Sequence, residues 1–291
     1  MRKFSWMLLV LVFLGGCQDE PKVQEPSTVE QKVEPVAAQL SEEEVLVGSA
    51  EELKTVSAKK IVWKKNGAKM VLIPENKSGT GKTDFVYDEF GDVVGGGEVV
   101  GATDVFFMDA YEVTVGQFKT FLKSSGYKPD PAIDWVGVHE YSPTDKHPIN
   151  HVTWHDATAY AKWAGKRLPT EKEWEWAARG GLKNKEYPWG DDRDLARDYA
   201  NCSGTGGDDR WEYAAAPVGS FKPNGYGLYD MAGNAYEWCQ DWYSDSQISR
   251  VLLGGSWLYS TDRLRVAYRL GNSPYNRRHH FGFRCVVSGS P

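Results

Sequence analysis

The chain has 291 residues, a formal net charge of −6 and a hydrophobic content of 41%. That length suits one domain with a sizeable core, and the acidic balance argues against a nucleic-acid partner, because phosphate binding needs a basic face. With Cys17 set aside, Cys202, Cys239 and Cys285 remain, an odd number that excludes a fully paired disulfide scaffold within one chain.

Arg2 and Lys3 open the chain, and an uncharged apolar run from Phe4 to Leu14 follows. The run is short for a membrane span and suits a signal-peptide core. Leu14-Gly15-Gly16-Cys17 ends it and resembles the lipobox of bacterial lipoproteins, in which the cysteine sulfur takes a diacylglycerol. A plain secretory signal with an incidental cysteine is the alternative. On the lipobox reading residues 1–16 are removed, Cys17 is lipidated, and Gln18 points to lipid anchoring in the bacterial outer membrane with the domain exposed at the surface. Residues 17–58 are rich in Glu, Gln, Lys, Val and Pro and contain no aromatic residue. Such a segment buries too little apolar surface to offset its ordering entropy and reads as a flexible tether. Ser41-Glu42-Glu43-Glu44 leaves room for a short helix over residues 41–53.

The folded domain is expected over residues 59–291, since all but one of the twelve Trp lie there. Apolar spacing predicts helices over residues 113–125, with Val115, Phe118, Phe121 and Leu122 on one face, and over residues 156–163. Thr170 and Glu173 form a capping box after Pro169, and Gly180-Gly181 stop that helix, whose Trp174, Ala177 and Ala178 would face the core. Candidate strands are 69–73, 106–111, 250–253, 265–268 and 283–287. Turn signals crowd the chain between them, at Pro188 to Asp191, Lys222 to Gly225 and Ala232 to Asn234. The pattern predicts an α+β domain, rich in loops, with few short helices and strands.

Several segments occur in a fixed order: Trp163-Ala164-Gly165-Lys166-Arg167-Leu168-Pro169-Thr170-Glu171, Glu173-Trp174-Glu175-Trp176-Ala177-Ala178-Arg179-Gly180-Gly181, Asn224-Gly225-Tyr226-Gly227-Leu228-Tyr229-Asp230-Met231, Gly254-Gly255-Ser256-Trp257 and Gly282-Phe283-Arg284-Cys285. Together they resemble the formylglycine-generating enzymes and their sulfatase-modifying-factor relatives over residues 61–288. The resemblance implies the family's variant of the C-type lectin fold. The family enzyme oxidises a sulfatase cysteine with two copper-binding cysteines placed shortly after Gly-Gly-Ser-aromatic. Tyr259 and Leu264 stand at those positions here, and neither a phenol nor an isobutyl group replaces a thiolate on copper(I). The resemblance therefore implies no copper and no oxidase activity. Ala161 and Ala178 stand where the family has structural cysteines, and Cys285 lacks its family partner.

Asp230-x-x-Gly233-x-Ala235-x-Glu237 resembles the family's calcium loop, and Asn201, Cys202, Asp209 and Trp211 resemble a second calcium site. Oxygen donors on tight turns suit a hard cation. The alternative is that Asp230 and Glu237 cap turns without metal. His147, His151 and His155 are spaced four apart, but Pro148 breaks any helix through them, so they read as structural histidines rather than a zinc site.

From Leu258 to the end no Lys, Glu, Gln, Met or Trp occurs. An AAC codon mutated freely at its adenines encodes none of those five residues. That pattern, and the chain as a whole, resemble the variable lipoproteins of diversity-generating retroelements, of the Treponema variable protein A type. The irregular positions between about 258 and 281 are Leu258, Tyr259, Ser260, Asp262, Arg263, Tyr268, Leu270, Gly271, Asn272, Tyr275, Arg278, His279, His280 and Phe281. Tyrosines, arginines and small polar residues together make an adaptable binding face. The expected function is a surface-displayed lipoprotein that binds a macromolecule, protein or glycan, through this segment. The alternatives are a non-diversified structural or sensory envelope lipoprotein and a divergent enzyme of the sulfatase-modifying-factor family.

Overall fold

The computed structural model describes residues 44–77, 86–87, 93–95, 102–204, 210–211 and 213–289. The signal peptide, Cys17, the first part of the tether and Asp209 lie outside the described residues. In chain order the elements are β1 (Glu44–Val47), α1 (Ala50–Leu53), β2 (Lys60–Trp63), β3 (Ala68–Ile73), β4 (Val86–Tyr87), β5 (Val93–Gly95), β6 (Phe106–Asp109), α2 (Val115–Ser125), α3 (Trp135–Tyr141), α4 (Trp154–Trp163), α5 (Glu171–Ala178), α6 (Ala196–Tyr199), β7 (Tyr236–Trp242), β8 (Arg250–Leu253), β9 (Arg269–Asn272), β10 (Phe281–Gly282) and β11 (Val286–Ser288). Short 3-10 turns cover Arg193–Leu195 and Thr261–Leu264. No described helix is long and apolar enough to cross a membrane.

Two sheets organise these pieces. One has the order β1-β2-β3-β6-β11 and the other β10-β7-β8-β9. Composition assigns residues 44–58 to the tether, but the structure places Glu44–Val47 in the first sheet and turns Ala50–Leu53 into a helical turn. β1 runs parallel to β2, with Val47 opposite Trp63, because the outer edge of β2 offers unpaired backbone groups. The helix expected over 41–53 shrinks to the single turn α1, capped by Ser49, whose side chain accepts from the Glu52 N–H at 3.1 Å.

Reciprocal capping boxes start three helices: Thr114 with Gln117, Thr153 with Asp156, and Thr170 with Glu173. Thr153 is the reason α4 begins two residues before the expected Asp156. Phe118 and Phe121 of α2 meet Tyr160 of α4 and, across the domain, Trp238 and Phe283 in one core cluster. Trp174, Ala177 and Ala178 of α5 pack with Met108, Val251 and Leu253 in another. Each fully buried aromatic or aliphatic side chain contributes roughly 1.5–3 kcal/mol.

The strand expected at 265–268 is a turn instead. Leu264 and Val266 are buried there, and β8 takes the next four residues, pairing Arg250 with Asn272 and Leu253 with Arg269. Arg284 joins the sheets through the core. Its guanidinium holds both Glu237 oxygens of β7 at 2.7–2.9 Å and donates to the carbonyls of Asp109 and Tyr229 at 3.2 and 2.8 Å. The nearby Lys166–Asp109 pair is equally sequestered.

Candidate ligand-binding face

The irregular C-terminal segment is carried by three turns of chain set on the buried frame. The first leaves β8 through Gly254 and Gly255, both left-handed (φ 92° and 74°). Gly255 is obligatory, since a Cβ there would lie 2.5 Å from Leu264 Cδ2 and 2.8 Å from the Arg263 carbonyl. Beyond it Ser256 and Trp257 are buried, while Leu258 and Ser260 are exposed and Tyr259 is half-buried. Thr261 and Leu264 pin the 3-10 turn inward, leaving Asp262 exposed and ion-paired with Arg193 at 2.8 Å.

The second turn follows β9. The Trp154 N–H donates to the Pro274 carbonyl at 3.2 Å, which holds Tyr275 out in solvent, 75% exposed, against the ring of His155 at 4.9 Å. The third carries Arg278, whose carbonyl accepts from the His151 N–H at 3.0 Å, and His279, which stacks on Tyr141 at 4.5 Å. Trp257 closes that cluster, 5.4 Å from His279 and 5.6 Å from Tyr141.

Three of the expected face residues are core residues instead. Tyr268 and Phe281 are each 1% exposed and His280 is 6% exposed. The turn closed by the Tyr268 N–H on the Arg265 carbonyl sends the Tyr268 ring into the large core cluster. Phe281 sits on β10 opposite Tyr236 and meets Trp238 edge-on at 5.4 Å. His280 is walled by Tyr259, Phe281 and His279. Burial, reinforced by the positive charges of His279 and Arg278, pushes its imidazole down to about 3. Burial also lowers His279 and His151.

Residues outside the segment complete the face. Tyr141 comes from α3, and His151 and His155 flank the start of α4. The spacing of the three histidines was the available signal. Only His147 is the buried structural residue expected of all three, with Nδ1 2.8 Å from Thr144 Oγ1. Ser256 Oγ, Trp257 Nε1 and His280 Nδ1 are buried without a hydrogen-bond partner among the described residues, so hydrogen-bonding capacity lies directly beneath the face.

Below it lies the acidic loop. Asp230 and Asn234 are left-handed (φ 56° and 57°), and a Cβ at Gly233 would fall 2.2 Å from the Asn201 carbonyl. Glu112 accepts from Asn234 Nδ2 at 2.8 Å and from the Ala235 N–H at 3.1 Å. Asp230 Oδ2 accepts from the Gly219 N–H at 2.7 Å, while its Oδ1 is buried with no partner. Burial pushes Asp230 up to about 6 and Glu112 well above the usual carboxylate range, with neighbouring carboxylates adding to both shifts. Burial opposes the charge of Arg284, but Glu237 together with Glu112 and Asp230 outweighs it and holds the guanidinium above its ordinary value. Three carboxylates thus surround one guanidinium, and this surplus of negative charge, with the orphaned Asp230 oxygen, fits a cation. Glu237 is committed to Arg284 and to Trp174 Nε1, however, and among the described residues no three carboxylate, imidazole or thiol groups converge as a metal site. At the second expected site Asn201 Oδ1 is buried without a partner, but the Cys202 carbonyl accepts from Arg197 Nη1 at 2.5 Å. The three cysteines of the domain are all buried.

The architecture is a C-type-lectin-type α+β domain of the kind built around formylglycine-generating enzymes, here presenting a loop face above a polar core. Residues 59–288 match the sulfatase-modifying factor enzyme 1-like domain, and the chain belongs to that family. It is 38% identical over 249 residues to a formylglycine-generating enzyme of Thermomonospora curvata, covering 62% of this chain and 82% of that one. It is 44% identical over 232 residues to the inactive C-alpha-formylglycine-generating enzyme 2 of Mus musculus, covering 63% and 75%. Among solved structures, Treponema denticola variable protein 1 matches with a TM-score of 0.58 at 25% identity, over 75% of this chain and 94% of that one. PvdO from Pseudomonas aeruginosa matches with a TM-score of 0.60 at 26% identity, over 76% and 95%. Relatives named as the enzyme and as its inactive form match alike, so overall similarity does not decide whether this chain is catalytic.

Proposed function

We propose that this chain is a ligand-binding lipoprotein, anchored through Cys17 and displayed at the outer-membrane surface, whose C-terminal segment is diversified by a retroelement. The observation that carries the reading is the alternation of exposure within that segment. Except for Tyr268, His280 and Phe281, every irregular residue reaches solvent at least in part, as do Arg265, Ala267, Arg269, Ser273, Asn276 and Arg277, while Thr261, Leu264, Val266 and Pro274 between them are buried. A segment free to vary at its exposed positions and anchored at the others can change its binding surface without unfolding. The likeness to a solved variable protein supports the same reading. The ligand is a macromolecule, protein or glycan, and not a nucleic acid.

On this reading the domain performs no cysteine oxidation, since the resemblance places Tyr259 and Leu264 at the copper-binding positions. Oxygen uptake by the copper-treated protein with a sulfatase-motif peptide tests this; turnover would restore the enzyme alternative. Calcium is proposed at Asp230, the carbonyls of Gly233 and Ala235, and Glu237, where it would meet the unpartnered Asp230 Oδ1 and share Glu237 with Arg284. A second ion is proposed at Asn201, Cys202, Asp209 and Trp211.

Sequencing the encoding locus in a population grown from one cell tests diversification. Changes confined to codons 258–281 at the adenines of a nearby template are expected. An invariant segment without a template copy would sink the proposal in favour of a structural or sensory envelope lipoprotein.

A further inference from the structure

A second recognition site lies outside the irregular segment. One face of α4, the end of β7, the start of β8 and the loop before α5 line a cleft of about 660 Å³, and none of the irregular residues lines it. Its volume falls within the range of small-ligand sites.

Arg250 organises it. Its guanidinium lies 3.9 Å from the centre of the Trp154 ring and 3.3 Å from that of Trp242, and its Nη1 donates to the Gln240 carbonyl at 2.6 Å. Burial lowers its affinity for the proton, with Asp241 opposing that effect. A guanidinium held between indoles is a preorganised fork for a planar anion. Lys162, exposed on α4, adds a second positive charge and has no ion-pair partner among the described residues. The other two cations are already neutralised, Lys166 by Asp109 and Arg167 by Glu173.

We infer that this cleft binds a carboxylated sugar chain. A pyranose has an edge of hydroxyls that suits Gln240, Asp241 and Thr158, whose Oγ1 is buried without a hydrogen-bond partner among the described residues, while its carboxylate suits the free edge of Arg250, whose faces the two indoles cover, and Lys162. Asp241 offsets one of the two positive charges, so a neutral sugar would leave the other uncompensated. An aromatic acid would leave the amide, carboxylate and hydroxyl of the wall unused. Asp241, whose Oδ2 already accepts from the Glu171 N–H at 2.7 Å, repels densely charged phosphate chains. Because Arg250 pairs with Asn272 across β8 and β9, the cleft abuts the irregular segment without depending on its sequence.

The test is calorimetric titration of the full-length chain with tri-galacturonate, with maltotriose as the neutral control. Saturable binding of the acidic trimer is expected, with the neutral trimer at least about tenfold weaker. K162E, at an exposed position, is expected to weaken the acidic trimer about tenfold, the scale of one charge-assisted hydrogen bond, at an unchanged unfolding midpoint. R250Q is expected to weaken it further, and Y275A, on the irregular face, to leave it unchanged. Absence of binding, equal binding of both trimers, indifference to both K162E and R250Q, or loss on Y275A would each overturn the inference. None of these outcomes bears on whether the irregular segment is diversified.

Discussion

Gly271 lies against the ring of Tyr243 so closely that a Cβ on it would sit 2.6 Å from Tyr243 Cγ and 2.9 Å from Cδ1. One irregular position of the proposed binding segment therefore has no room for a side chain unless the tyrosine moves. Tyr243 is half-buried just after β7 and its N–H donates to the Ser249 carbonyl at 2.8 Å, so its backbone is fixed and only the ring can yield. G271N should destabilise the domain by about 1–3 kcal/mol, the usual cost of overpacking. In a Y243A background the same change should cost little. A denaturant double-mutant cycle checks this, and additive effects would show that the ring is not what restricts position 271.

His280 sets the behaviour in acid. Folded, its imidazole titrates at about 3, against 6.5 for the free side chain. The unfolded chain therefore takes up a proton that the folded one refuses. The contribution of this group to stability is complete above 6.5 and is lost as the pH falls from there toward 3, by about 4–5 kcal/mol at full extent. His151 and His279 are lowered by burial too and act with the same sign. Unfolding midpoints of the wild type and H280N between pH 7 and pH 4 should converge as the pH falls.

Asp230 acts with the opposite sign. Its folded value, raised to about 6 from 3.8, contributes stability that is present below 3.8 and is lost as the pH rises through 6. At pH 7 the ionised carboxylate is a burden unless a cation sits beside it. In chelator, D230N should melt at a higher temperature than the wild type. Calcium should raise the wild-type midpoint and leave D230N nearly unchanged. A wild-type midpoint indifferent to calcium at pH 7 would remove calcium from this loop.

The Arg284–Glu237 pair holds the two sheets in register, with both side chains fully buried. E237Q should cost about 3–5 kcal/mol, because it leaves a buried guanidinium without its counter-charge. R284M should cost as much or more by leaving three buried carboxylates without their shared cation. Denaturant titration measures both. A loss under about 1 kcal/mol for E237Q would mean that another group takes over the guanidinium.

Much of this was legible in the residues themselves. Capping boxes are local, so Thr170 with Glu173 marked the start of α5 before any fold was known, and the apolar faces of α2 and α5 follow from helical periodicity. The ordered run of turn motifs pointed to the family and its α+β fold. Local spacing could not show which irregular residues face outward. Tyr268, His280 and Phe281 are aromatic and imidazole residues like Tyr259, His279 and Tyr275, yet the first three are buried. The difference arises because β10 runs parallel to β7 and the turn after Leu264 closes on Arg265, and both are contacts between segments far apart or folded back on themselves. The same holds for the first strand. Residues 44–47 (Glu-Val-Leu-Val) are too short a run to order alone, and they order because β2 presents an open edge. The sequence by itself determined where α5 begins, which family the domain belongs to and which segment is irregular. Only the tertiary structure decided which of those residues meet solvent, that Tyr141, His151 and His155 join them, and that Arg250 stands between two tryptophans, because each depends on pairings between distant strands that no local pattern encodes.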